Sequence, residues 1–93
     1  MKYTVHKSSR FKKSLKRIKQ HASFKADRLK LAITVLSEGK ELPKEYHDHK
    51  LTGNLAGHRE CHLAPDILLV YQIDDGFLLL TLVNIGNHSQ LFN

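Results

Sequence analysis

The stretch HRECHLAPDILLVYQIDDGFLLLTLVNI, residues 58–85, decides the fold. Its centre, ILLVYQI at 67–73, is an apolar run of strand length, rich enough in Leu, Ile and Val to lie in the middle of a sheet. Ala64-Pro65-Asp66 precedes it and reads as a turn, because Pro65 donates no ladder hydrogen bond and fixes its own φ. Asp74-Asp75-Gly76 follows and reads as a hairpin turn. The spacing therefore predicts three antiparallel strands: His58–Leu63, Ile67–Ile73 and Phe77–Ile85. Gly86-Asn87 breaks the last of them and leaves His88–Phe92 as a short tail.

Upstream, KYTVH at 2–6 alternates and predicts a first strand. Ser8 or Ser9 offers an N-cap, and Phe11, Leu15 and Ile18 fall on one stripe of a helix reaching about His21. Ser23 is a second cap candidate; Leu29, Ala32, Ile33 and Leu36 form another stripe that Gly39 is placed to end. Residues 40–57 carry Pro43, Gly53 and Gly57 and read as loop, with a short strand near Lys50–Leu51. The order βααβββ predicts an α+β domain over 1–93, with an N-terminal helical hairpin packed on a small antiparallel sheet.

The net charge is +6, and the excess is concentrated in residues 2–30, where eleven Lys and Arg face only Asp27. That density suits a polyanion such as RNA or an acidic partner protein. One cysteine, Cys61, excludes a disulfide framework and reads as a small packed residue. No apolar run is long enough for a signal peptide or a membrane span, so a cytoplasmic location is expected.

Seven histidines stand in 93 residues, and five follow residue 46. A zinc site is a poor fit: on a strand, His58 and His62 would lie ~13 Å apart, beyond one ion's reach. No metal or cofactor is expected. Acid–base chemistry suits histidine better, since its ordinary pKa lies near neutrality. RNA carries its own nucleophile, the 2′-hydroxyl, so its cleavage needs a base, an acid and cations rather than a metal.

Three ordered segments carry a resemblance. YHDHKLTG at 46–53, GHRECHLAPD at 57–66 and GNHSQLF at 86–92 resemble the YxDHxLxG, GxRxxHxxPD and GTHxxLF segments of the YafQ branch of the RelE/ParE toxin superfamily. The resemblance implies a RelE-like fold and a type II toxin that cuts mRNA on the ribosome. It implies neutralisation by a cognate antitoxin, acidic, DNA-binding and of the DinJ/RelB kind. It also implies a catalytic set of His49, His62, Asp66 and His88, with His49 and His88 as the acid–base pair and Phe92 near the substrate. Lys50 and Arg59 are candidates for phosphate contact, with Arg59 able to face either side of its strand. Two positions depart from the pattern: Ile67 stands where an aromatic residue is usual, and Asn84 where an arginine is usual. The alternatives are a ParE-like toxin that inhibits DNA gyrase by binding, and a non-catalytic RNA-binding module.

Overall fold

The computed structural model describes residues 1–92. Its elements are β1 (Thr4–Lys7), α1 (Ser9–Ile18), α2 (Ala26–Ser37), β2 (His49–Lys50), β3 (Arg59–Ala64), β4 (Ile67–Asp74), β5 (Leu79–Gly86) and α3 (His88–Phe92). Single 3-10 turns at Lys44–Tyr46 and Gly53–Leu55 shape the approaches to β2 and β3.

The five strands form one sheet in the order β1-β5-β4-β3-β2. The β2–β3, β3–β4 and β4–β5 pairs are antiparallel, as the turns at Pro65 and Gly76 require. β1 instead pairs parallel to β5, with Thr4 opposite Leu79 and Lys7 opposite Leu82, so the expected antiparallel sheet is mixed. A parallel partner needs a long crossover, and everything between β1 and β5 serves as that crossover.

One sheet face carries Cys61, Leu63, Ile67, Leu69, Tyr71, Leu80, Leu82 and Ile85, all buried. Phe11, Ile18, Leu29, Ala32 and Leu36 of the two long helices belong to the same core. Each such aliphatic or aromatic side chain contributes roughly 1.5–3 kcal/mol on burial. Leu82 and Ile85 are three residues apart, yet both are fully buried in this core. A bulge reconciles them: Val70 pairs with Asn84 and Tyr71 with Leu82, leaving Val83 as the extra residue. Ser8 secures that irregularity. Its Oγ accepts from the Phe11 N–H at 3.0 Å as the α1 N-cap and donates to the Val83 carbonyl at 2.7 Å.

α1 ends at Ile18, short of His21, and α2 starts at Ala26 with no side-chain cap, so Ser23 does not serve. Gly39 ends α2 as expected, at φ +76°. Phe77 and Leu78 belong to the β4–β5 turn rather than to β5, and Phe77 is 83% exposed. The tail is a one-turn helix whose start is closed reciprocally: the Asn87 Oδ1 accepts from the Gln90 N–H at 2.8 Å, and the Gln90 Oε1 accepts from the Asn87 N–H at 2.9 Å. No helix of the described residues is long and apolar enough to cross a membrane.

Candidate active site

Side chains alternate along β3, so Glu60 and His62 lie on the face opposite Cys61 and Leu63. His49 on β2 pairs directly with Glu60 and shares that face. A second bulge follows at once, because His62 pairs with Leu68 and Ala64 with Ile67, which leaves Leu63 as the extra residue. Bulges re-aim neighbouring side chains, and this one sits against a histidine of the site.

Glu60 organises the cluster, and nothing in the histidine pattern pointed to it. It is 3% exposed. Its Oε1 lies 3.5 Å from the His62 Nε2 and 3.7 Å from the His49 Nε2. The His49 and His62 rings are 6.4 Å apart. The His49 Nδ1 is 2.8 Å from the His47 carbonyl, which accepts its proton and leaves Nε2 turned to Glu60. His88 comes from α3; its ring lies 4.9 Å from that of Phe92, one helical turn on. His49, Glu60, His88, Phe92, Leu51 and Leu55 line one cleft of about 310 Å³.

Burial holds the His62 imidazole below its ordinary pKa; the charges of His47, His49 and His88 push the same way, and Glu60 opposes them. The His62 ring is therefore biased toward its neutral form.

His49, His62, His88 and Phe92 are thus brought to one face. Asp66 is not brought to them. It lies in the β3–β4 turn, 57% exposed, with its carboxylate 3.9 Å from the His21 Nε2. Arg59 faces the other way, opposite Tyr71. Its Nη2 donates to the Asp48 Oδ2 at 3.0 Å, its Nε contacts both oxygens at 3.3 and 3.4 Å, and the Tyr71 hydroxyl donates to the Asp48 Oδ1. The Asp48 carboxylate raises the Arg59 pKa above its ordinary value. Its guanidinium is thus engaged with Asp48 on the side away from the histidines. Lys50 pairs with Arg59, so it too stands on the face opposite His49. Burial pushes the Cys61 thiol up to about 12, as its packed role requires.

Asn84 pairs with Val70, and Val70 with Glu60, which puts all three on the histidine face. Asn84 borders a cleft of about 460 Å³ with Arg10, Lys13, Ser14 and Arg17 of α1 and Gln90 of α3. Positive charge therefore reaches this face from α1. Among the described residues, no group of three His, Cys, Asp or Glu side chains is placed to hold a metal ion.

Residues 3–93 match the family model described as bacterial toxin of type II toxin-antitoxin system, YafQ. An mRNA interferase toxin YafQ of Escherichia coli strain B is 33% identical over 89 residues, covering 95% of this chain and 94% of that protein. Among curated relatives the aligned share ranges from 60% to 94% of their length. A metal-bound toxin from Helicobacter pylori is 41% identical, with a TM-score of 0.89 over 97% of this chain and 99% of that one. The toxin of the E. coli DinJ-YafQ toxin-antitoxin complex is 30% identical, with a TM-score of 0.86 over the whole of both chains.

Proposed function

The chain belongs to the YafQ family of toxins from bacterial type II toxin–antitoxin systems, and from that premise we propose that it is an mRNA endoribonuclease working on the ribosome by histidine acid–base chemistry. The observation that carries the reading is the pair His49 and His62 held to one buried carboxylate, with His88 on the same cleft.

In this reading the His49 Nε2 removes the proton from a 2′-hydroxyl of the RNA. The 2′-oxygen attacks the adjacent phosphorus. The P–O5′ bond breaks, the 5′-oxygen takes a proton from His88, and a 2′,3′-cyclic phosphate remains. His49 suits the base because the His47 carbonyl holds its other nitrogen. Glu60, 3.7 Å from that same nitrogen, stabilises the imidazolium that forms, while the His47 carbonyl takes the orienting place on Nδ1 that the carboxylate has in a catalytic triad. His62, kept neutral by burial, is a positioning residue for the phosphate, and Phe92 closes the cleft against the substrate. Asp66 stands outside this set, in the turn it shares with Pro65 and beside His21.

Arg10, Lys13 and Arg17 are the cations that border Asn84, and they take the RNA backbone where the family pattern has an arginine. The same basic surface suits an acidic antitoxin segment, and the similar E. coli toxin is found in complex with the antitoxin DinJ.

Expression of the chain alone in bacteria, with mapping of mRNA 5′ ends, is expected to give growth arrest and ribosome-dependent cuts. The double variant His49→Ala with His88→Ala is expected to abolish both. Arrest that persists in the double variant would show a toxin that acts by binding and would overturn the nuclease reading.

A further inference from the structure

A third cavity, of about 600 Å³, reaches His62 but neither His49 nor His88. Its walls are Arg28 of α2, Glu45 and His47 from the 3-10 turn and its exit, and His62, Ala64 and Pro65. Arg28 is fixed on two sides. Its Nε donates to the Leu63 carbonyl at 3.2 Å, and its guanidinium stands 4.2 Å above the Tyr46 ring. Among the described residues its terminal N–H groups have no hydrogen-bond or ion-pair partner, and neither does the Glu45 carboxylate. His47 holds a left-handed φ of +48°, a conformation that costs a non-glycine residue of order 1 kcal/mol. Its ring meets His62 edge-on at 5.5 Å. Ile67, the position where an aromatic residue could have stacked on a base, is fully buried in the core. At this end of the site the ring of His47 and the ring of Pro65 line the cavity instead.

We propose that this cavity is a guanine subsite for the nucleotide beside the cleaved phosphate; the proposal rests on the nuclease reading for the identity of the RNA. Arginine donates in pairs to the O6 and N7 of guanine. A carboxylate accepts in pairs from its N1–H and 2-amino group. Guanine alone offers both edges. Adenine places an amino donor beside N7 and conflicts with Arg28, and uracil offers Glu45 one N3–H but sets its O2 carbonyl where guanine has the amino group. Cytosine gives Glu45 a single amino group. A fixed guanidinium and an unpaired carboxylate in one cavity next to a site histidine fit the base that satisfies both.

The experiment is an NMR titration of the isolated protein with the four nucleoside 3′-monophosphates, repeated with Glu45→Gln. Glu45 is exposed, so this variant leaves the core untouched. 3′-GMP is expected to bind roughly fivefold or more tighter than the others, the lower end of what one bidentate base contact discriminates. Its shifts should centre on the Arg28 Nε–H and on His47. Glu45→Gln should remove the preference while the other three nucleotides bind as before. Equal binding of all four, or shifts away from the cavity, overturns the subsite. Mapping cuts on ribosome-bound mRNA separates the two readings. A guanine preference in binding with no cleavage keeps the subsite and removes the nuclease. Cleavage with no fixed guanine beside the cut, unchanged by Glu45→Gln, keeps the nuclease and removes the subsite.

Discussion

Replacing Arg59 by methionine asks whether this cation holds the fold or the phosphate. In the structure it makes a 3.0 Å bond from Nη2 to Asp48, whose other oxygen receives the Tyr71 hydroxyl. At 3.0 Å in a medium of effective dielectric 20, the gross attraction is roughly 5 kcal/mol. The two side chains are 32% and 21% exposed, so solvent screening and the desolvation both charges have already suffered reduce the net term. Loss of the arginine strands a half-buried carboxylate, and the net cost is about 2–3 kcal/mol. For a domain of this size each kcal/mol moves Tm by roughly 4–8 °C, so Arg59→Met should melt about 10–20 °C lower. Scanning calorimetry measures that fall. Well below Tm, cleavage per folded molecule should stay within about threefold of the parent, a barrier change under ~1 kcal/mol. The opposite pattern, Tm held while cleavage drops by roughly a hundredfold, is what losing a transition-state cation gives. It would refute the placement of Arg59 on the core side. The paired change Asp48→Leu with Arg59→Met should cost less than the two single effects added together, because neither partner is then left unpaired.

Glu60→Gln removes the charge that raises the His62 pKa, so an NMR titration of the His62 ring should find it lower still; an unchanged value would mean the 3.5 Å contact carries no charge coupling. The sign for stability follows from the same depression. The folded chain binds the His62 proton less readily than the unfolded chain, so this contribution is fully present above about pH 6.5 and is lost as pH falls through the lowered value. His62→Gln should flatten the acid limb of a urea-denaturation series measured against pH, and an equally steep limb in the variant would contradict this. Cys61 is fully buried with its thiol pushed up to about 12, so a thiol reagent should fail to label the native chain and should react at once in denaturant. Rapid native labelling would place Cys61 outside the core.

What could be read from residues alone was whatever repeats at a fixed period. The apolar run 67–73 and its two turn signals placed β3, β4 and β5 within a residue or two, and the Phe11-Leu15-Ile18 stripe placed α1. The parallel pairing of β1 with β5 has no local signal, since β1 must find an edge more than seventy residues away. The bulges at Leu63 and Val83 were equally silent, because an extra residue shows only against its partner strand. The site divides in the same way. His49, His62 and His88 stood out as rare residues in ordered motifs, and the structure gathers them. Glu60 looked like any exposed acid; its value comes from being buried beneath two rings. Arg59 and Lys50 were attractive as charges, but strand parity sends both to the other face. His47 stands at an unspecified position of the YxDHxLxG segment, yet its left-handed backbone turns it onto His62.

The pairing of β1 with β5 also sets an order of events during synthesis. The first strand has no partner until residues 79–82 have left the ribosome, and the helix that carries His88 follows still later. Contacts so distant in sequence form slowly and late. While translation is under way the N-terminal segment is therefore a basic, unpaired arm, and the cleft does not yet exist. On the proposed reading, in which the chain cuts mRNA on the ribosome, it is in this way harmless to the ribosome that is making it.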